Sequence, residues 1–146
     1  MYPQNIKLTT DALVLSKSNG AWQVLLIERG NEPYKGMWAL PGGFVEDDED
    51  LEAGALRELE EETGMRLQAM RQLHTFGRPG RDPRGRTVSV VFYAFVDAAD
   101  HTVKGADDAA HASWVNIKDI SAMAFDHKEV LDFALQVLKD ELKMAQ

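Results

Sequence analysis

Glu58, Glu60, Glu61 and Glu62 lie in the run ELEEETG, directly ahead of a threonine and a glycine that read as a helix end. At about 100° per residue, Glu58, Glu61 and Glu62 share an arc of roughly 100°, whereas Glu60 falls about 160° from Glu58. Like charges at these spacings cost ~0.2–0.5 kcal/mol per pair, and anions near a helix C-terminus lose a further ~0.3–1 kcal/mol each. Local helix stability therefore opposes the arrangement. A hard divalent cation such as Mg²⁺ or Mn²⁺ favours carboxylate, carbonyl and water oxygens, and would reverse the sign of both penalties. From these residues alone two readings stand side by side: a metal platform, or a solvated acidic face.

The elements that must position these carboxylates can be read from the flanking sequence. The helix is expected to start near Asp48 to Asp50, where Asp caps well and acids suit the positive end of the dipole, and to stop at Gly64. Leu51, Ala55, Leu56 and Leu59 form its apolar face. IKLTTDALVLSK and WQVLLIER are β-rich runs joined around Asn19-Gly20, a strong hairpin signal. RLQAMRQLHTF, TVSVVFYAF and ASWVNI read as further strands. A last helix spans about His127 to Lys143, with Leu131, Leu135, Leu138 and Leu142 as its packing stripe and Asp126 with Glu129 resembling a capping box. Strands mixed with two helices predict an α/β domain, its helices covering a mixed sheet, and the 146 residues suit a single domain over 1–146. Trp22, Trp38, Trp114, Phe44 and Tyr93 are expected to pack in the core or on the sheet.

The formal net charge is −8, and its distribution is uneven. Positions 46 to 62 hold ten acids against Arg57 alone, leaving fourteen acids against fifteen bases elsewhere. The whole acidic excess thus sits in one segment, which argues against general phosphate-backbone binding to nucleic acid. A basic island follows at RPGRDPRGR, with Arg78, Arg81, Arg84 and Arg86. There is no cysteine, no apolar leader in MYPQNIKLTT, and no apolar run near the ~20 residues that span a bilayer, so the expectation is a cytoplasmic protein with no membrane partner.

GFVEDDEDLEAGALRELEEETGM, from Gly43 to Met65, resembles the box of the Nudix hydrolase family: glycine, five residues, glutamate, seven residues, then arginine-glutamate-apolar-any-glutamate-glutamate-any-glycine-apolar. Gly43, Glu49, Arg57, Glu58, Leu59, Glu61, Glu62, Gly64 and Met65 meet every defined position. The resemblance implies a Nudix-type α/β/α sandwich with a central mixed sheet, dependence on Mg²⁺ or Mn²⁺, and hydrolysis of a diphosphate linked to another group. It also implies that Glu58, Glu61 and Glu62 are catalytic metal ligands together with a backbone carbonyl of the glycine turn, here Gly42. Glu49 and Arg57 would form a structural ion pair beside the structural Gly43 and Gly64. Pro41-Gly42-Gly43 suits a tight turn and close backbone approach.

Outside the box, ERGNEPYKGMWALPGGFVE, GRPGRDPRGRTVSVVFYAF and AFDHKEVL look like the ADP-ribose pyrophosphatase branch, which includes Nudix domains of regulators that sense ADP-ribose. That resemblance implies cleavage of ADP-ribose to AMP and ribose 5-phosphate, and a homodimer. Arginine forks suit phosphate, so Arg29, Arg81 and Arg84 are the expected diphosphate contacts, with Asp82 read as pairing with these arginines. Tyr34 is the expected adenine-stacking ring, and the ADDAAH loop offers Asp107 and, preferred, Asp108 as an additional acid. His127 beside the helix start is read as structural, with contact to a ribose or to the partner subunit as its other role. The alternatives are hydrolysis of nucleoside triphosphates or other nucleoside diphosphate sugars, and a non-catalytic ADP-ribose sensor. The intact box and a length that leaves no room for a DNA-reading domain weigh against the sensor.

Overall fold

The computed structural model describes residues 3–103 and 109–144. Its elements are β1 (Lys7–Ser18), β2 (Ala21–Arg29), β3 (Trp38–Ala39), β4 (Gly42–Phe44), α1 (Leu51–Thr63), β5 (Arg71–Phe76), β6 (Thr87–Phe95), β7 (Ala109–Asn116), α2 (His127–Val137) and α3 (Lys139–Met144). Two short 3₁₀ turns, Ala98–Asp100 and Ile117–Asp119, complete the order.

All seven strands join one mixed sheet with the path β3-β2-β1-β6-β5, β4 adding to β1 and β7 to β2. The β1–β2 hairpin closes as Asn19-Gly20 foretells: Ser18 faces Ala21, and the two turn residues have φ of 51° and 79°. Such a pair of left-handed residues matches the twist of the flanking strands. At the centre β1 runs parallel to β6, from Lys7 against Thr87 to Leu15 against Phe95. β1 is buried on both faces over eight consecutive residues, as a strand covered by helices must be.

Alternation along β1 sorts the core into two layers. Leu13 and Leu15, with Val24, Leu26 and Val91, face Val130, Leu131, Ala134 and Leu138 of the C-terminal helices. Ala12 and Val14, with Leu25, Val90 and Phe92, face Ala55, Leu59 and Met65. Helix α1 therefore lies on one side of the sheet and α2 on the other, giving the α/β/α sandwich. Leu59 is fully buried, so Leu59→Ala would cost about 2–5 kcal/mol and loosen the helix that carries the glutamates.

Three local expectations need correction. The last helix is interrupted at Leu138, which adopts φ −98° and ψ 9° while its N–H still reaches the Ala134 carbonyl. The strand expected from Arg66 begins only at Arg71. Phe44 is 42% exposed and outside the core, because β4 is only three residues long and turns its last side chain out. Among the described residues no helix is long and apolar enough to cross a membrane.

Candidate active site

Helix α1 is fixed at both ends. Asp50 accepts a hydrogen bond from the Leu51 N–H at 2.7 Å, and Gly64 takes φ 78° so that its N–H closes on the Glu60 carbonyl. With Ala55 and Leu59 against the sheet, Glu58 and Glu62 are brought to β4. The Gly42 N–H donates to Glu62 Oε1 at 2.7 Å. Glu58 lies so close to Gly43 that a Cβ there would stand 2.7 Å from its carboxyl carbon, and a Cβ on Gly42 would overlap Asp11. Neither glycine has a positive φ. The tight-turn rationale for these two glycines thus gives way to close approach alone, and Gly42–Phe44 is strand rather than turn.

Arg57 spans the acidic side. Its Nε and Nη2 grip Glu49 at 2.9 and 2.7 Å, Nη1 donates to Glu58 at 2.8 Å and lies 3.3 Å from Glu61, and Nη2 also reaches the Phe44 carbonyl at 3.2 Å. Hydrogen bonding to Arg57 holds the Glu49 carboxyl down at about 2. Burial acts the other way on its neighbours: it raises Glu58, and it pushes Glu62 up to about 8, with the charges of Glu58 and Asp11 adding to the effect. Glu60 points elsewhere and pairs with Arg66 at 3.0 Å. Glu61 is exposed and Arg57-bound, while Glu58 and Glu62 line the cleft.

Facing them across that cleft are Arg29, at the end of β2, and Arg84, from the loop before β6. Arg29 Nε donates to the Pro33 carbonyl at 2.7 Å, and Arg84 forks onto Asp82 at 2.9 and 3.1 Å. Both guanidiniums lie over the Phe125 ring, at 5.0 and 5.2 Å, and Arg84 is also 5.2 Å from the Phe44 ring. Burial lowers the Arg29 pKa, and the charge of Arg84 lowers it further. Arg81 lines the adjoining inner part of the cleft, but its fork is committed to Asp126 at 2.9 and 2.7 Å in a buried pair. The expected capping box is consequently not formed: Asp126 makes no cap hydrogen bond, and Glu129 pairs with Arg78 at 3.2 Å.

Tyr34 does not line this cleft; its ring stands edge-on to Phe125, 4.9 Å between centroids, packed with Ile27, Ala39 and Ala124. Asp107 and Asp108 lie outside the described residues. Sequence reasoning passed over Phe125 and Asp11. Asp11 is buried inside β1, accepts a short hydrogen bond from Ser89, and has His127 Nε2 at 3.9 Å. A charged residue in a strand otherwise buried on both faces was its signal. His127 is buried and accepts the Leu40 N–H through Nδ1 at 3.0 Å, which locks the strand leading to Gly42.

Among the described residues no three His, Asp or Glu side chains already form a cation cage. Arg57 engages Glu58 and Glu61, and the Gly42 N–H engages Glu62. The donor set nonetheless fits a hard divalent cation: all-oxygen ligands, two of them in buried surroundings that penalise their negative charge.

Comparison with known proteins places this arrangement. Residues 7–133 match the NUDIX domain. Over 118 residues the chain is 39% identical to the ADP-ribose pyrophosphatase of Methanocaldococcus jannaschii, covering 81% of this chain and 67% of that protein. It is 36% identical over 146 residues to the ADPR responsive transcriptional repressor NtrR of Acinetobacter baylyi, covering 97% of this chain but only 58% of the repressor. The NUDIX domain of Shewanella oneidensis NrtR, solved as a complex with ADP ribose, superimposes with a TM-score of 0.86 at 32% identity, covering 92% of this chain and 90% of that one. The chain belongs to the Nudix family.

Proposed function

We propose that this protein is a Nudix pyrophosphohydrolase that cleaves the diphosphate of ADP-ribose with water, giving AMP and ribose 5-phosphate. The observation that carries the reading is the opposition, across one cleft, of Glu58 and Glu62 to the guanidiniums of Arg29 and Arg84. A diphosphate repels a glutamate wall and the electron pair of an attacking nucleophile, so hydrolysis needs positive charge on both sides of it. Arg29 and Arg84 provide one side by donating guanidinium N–H groups to phosphate oxygens. Glu58, Glu61, Glu62 and the Gly42 carbonyl would hold Mg²⁺ or Mn²⁺ on the other; when bound, that cation would neutralise charge on the departing phosphate and lower the pKa of water. A glutamate of the box accepts the proton of the attacking water. Arg57 clamps Glu49 and the β4 carbonyl so that the acidic loop keeps its place on the helix. Arg81 supports the site from beneath through Asp126.

The likeness to an ADP-ribose pyrophosphatase and to an ADP-ribose-bound domain supports this substrate over nucleoside triphosphates. A small nucleotide rather than nucleic acid is the proposed ligand, and a cytoplasmic homodimer the proposed setting, the latter checked by light scattering. The experiment is a substrate panel with Mg²⁺ or Mn²⁺, scored for AMP plus sugar phosphate against nucleoside monophosphate plus pyrophosphate. Formation of AMP and ribose 5-phosphate, abolished by EDTA, is expected; preference for a triphosphate would overturn the substrate. The match to a repressor over 97% of the chain favours a second reading, a domain that binds ADP-ribose without turning it over. Tight binding with no product at any metal concentration would establish that reading instead.

A further inference from the structure

Phe125 has φ 54°, a conformation in which a bulky side chain is a true outlier. It is held there from both sides. The preceding Ala124 N–H is fixed to the Trp38 carbonyl at 2.8 Å, the following Asp126 is forked by buried Arg81, and His127 is tied to the Leu40 N–H. Strained residues persist only where their surroundings over-determine them, and they concentrate at ligand clamps. The Phe125 ring lies against Arg29 and Arg84, two like charges, and at Arg29 the charge of Arg84 adds to burial in lowering the pKa. An aromatic face attracts a guanidinium without taking up its N–H donors, unlike the Asp82 carboxylate, which engages Nε and Nη2 of Arg84.

We propose that Phe125 is a positioning residue that seats Arg29 and Arg84 side by side, so that the guanidinium N–H groups beyond those bonded to Pro33 and Asp82 are preassembled for the two phosphates of a nucleoside diphosphate ligand. The proposal rests on the reading of the cleft as a diphosphate site. Phe125 itself touches no reacting atom. Preassembly lowers the ordering cost of binding, so its loss weakens ligand binding and raises KM while leaving kcat nearly unchanged.

The test measures binding of the non-hydrolysable α,β-methylene analogue of ADP-ribose by calorimetry with Mg²⁺, alongside kcat and KM for ADP-ribose, in wild type, Phe125→Leu and Phe125→Tyr. Loss of two cation–aromatic contacts predicts a rise of roughly 5- to 30-fold in both the analogue Kd and KM for Phe125→Leu. Phe125→Tyr, which keeps the ring, stays within about twofold of wild type. Should leucine unfold the protein, Phe125→Met, which keeps most of the volume without a ring, replaces it. Unchanged binding in the leucine or methionine variant overturns the proposal, as does an equal loss in the tyrosine variant. If wild-type enzyme binds the analogue with the predicted Phe125 dependence yet turns over no ADP-ribose, the hydrolase reading fails and the seat stands; turnover with no Phe125 dependence gives the reverse.

Discussion

The two walls of the cleft solve the same problem, like charges held close together, by opposite means. On α1, one guanidinium serves several carboxylates: Arg57 contacts Glu49, Glu58 and Glu61 at once. On the facing wall, one ring serves two guanidiniums, with Asp82 hydrogen-bonded to Arg84. The acidic wall is built within twenty residues of chain, whereas the basic wall is gathered from β2, the loop before β6 and the entry to α2. Local construction suits a rigid ligand cage, and convergence from three elements suits a clamp tuned by its supports.

The largest predicted effect lies on the acidic wall. Glu62→Gln is expected to lower kcat/KM for ADP-ribose by roughly 10²–10⁴-fold, with Glu61→Gln in the same direction. Circular dichroism should show both folded. Loss at Glu60→Gln equal to these would erase the distinction between the two sides of the helix. On the basic wall, Arg84→Ala removes a charged fork worth about 1.5–3 kcal/mol, so KM is expected to rise by ~10-fold or more with a smaller change in kcat. An unchanged KM would take Arg84 out of the clamp.

Stability against pH separates the buried groups of the site. Burial raises Glu62 to about 8 from its ordinary 4.5, so the native metal-free protein holds a proton that the unfolded chain releases, and stability is lost as pH rises through about 8. Glu62→Gln should therefore melt a few degrees above wild type in EDTA, with the gap widening from pH 5 to about 8 and then levelling. His127 has the opposite sign: burial lowers its pKa, so the unfolded chain takes up the proton first and stability falls as pH drops below 6.5. Scanning calorimetry of His127→Gln should show a shallower decline from pH 7 to pH 5. Parallel wild-type and variant curves would contradict either assignment. The smallest expected effect is that of Glu60→Gln, less than about twofold on kcat, since its pairing with Arg66 is at the surface.

How much of this was legible in the sequence follows the same division. The helix periodicity of Leu51, Ala55, Leu56 and Leu59, the Gly64 stop and the Asn19-Gly20 hairpin are local signals, and they fix which glutamates share a face. Nothing local announces that Asp126 would leave its cap position for Arg81, forty-five residues earlier, or that Phe125 would lie beneath two arginines. Those outcomes depend on how the loop before β6 meets the start of α2. Tyr34 illustrates the limit: nothing local in its polar loop announces that Phe125 would be its neighbour. Asp11 was readable in principle, as the acid that breaks the apolar run of β1, and its meaning came only with Ser89, His127 and Gly42 around it.

The central claim is that the shared face of α1 holds a divalent cation against the diphosphate. Mn²⁺ titration followed by electron paramagnetic resonance, with the α,β-methylene analogue of ADP-ribose present, tests it most directly. Saturable binding in wild type that is lost in Glu62→Gln and kept in Glu60→Gln is the predicted result. Wild-type protein that leaves the Mn²⁺ signal identical to that of the analogue alone would contradict it.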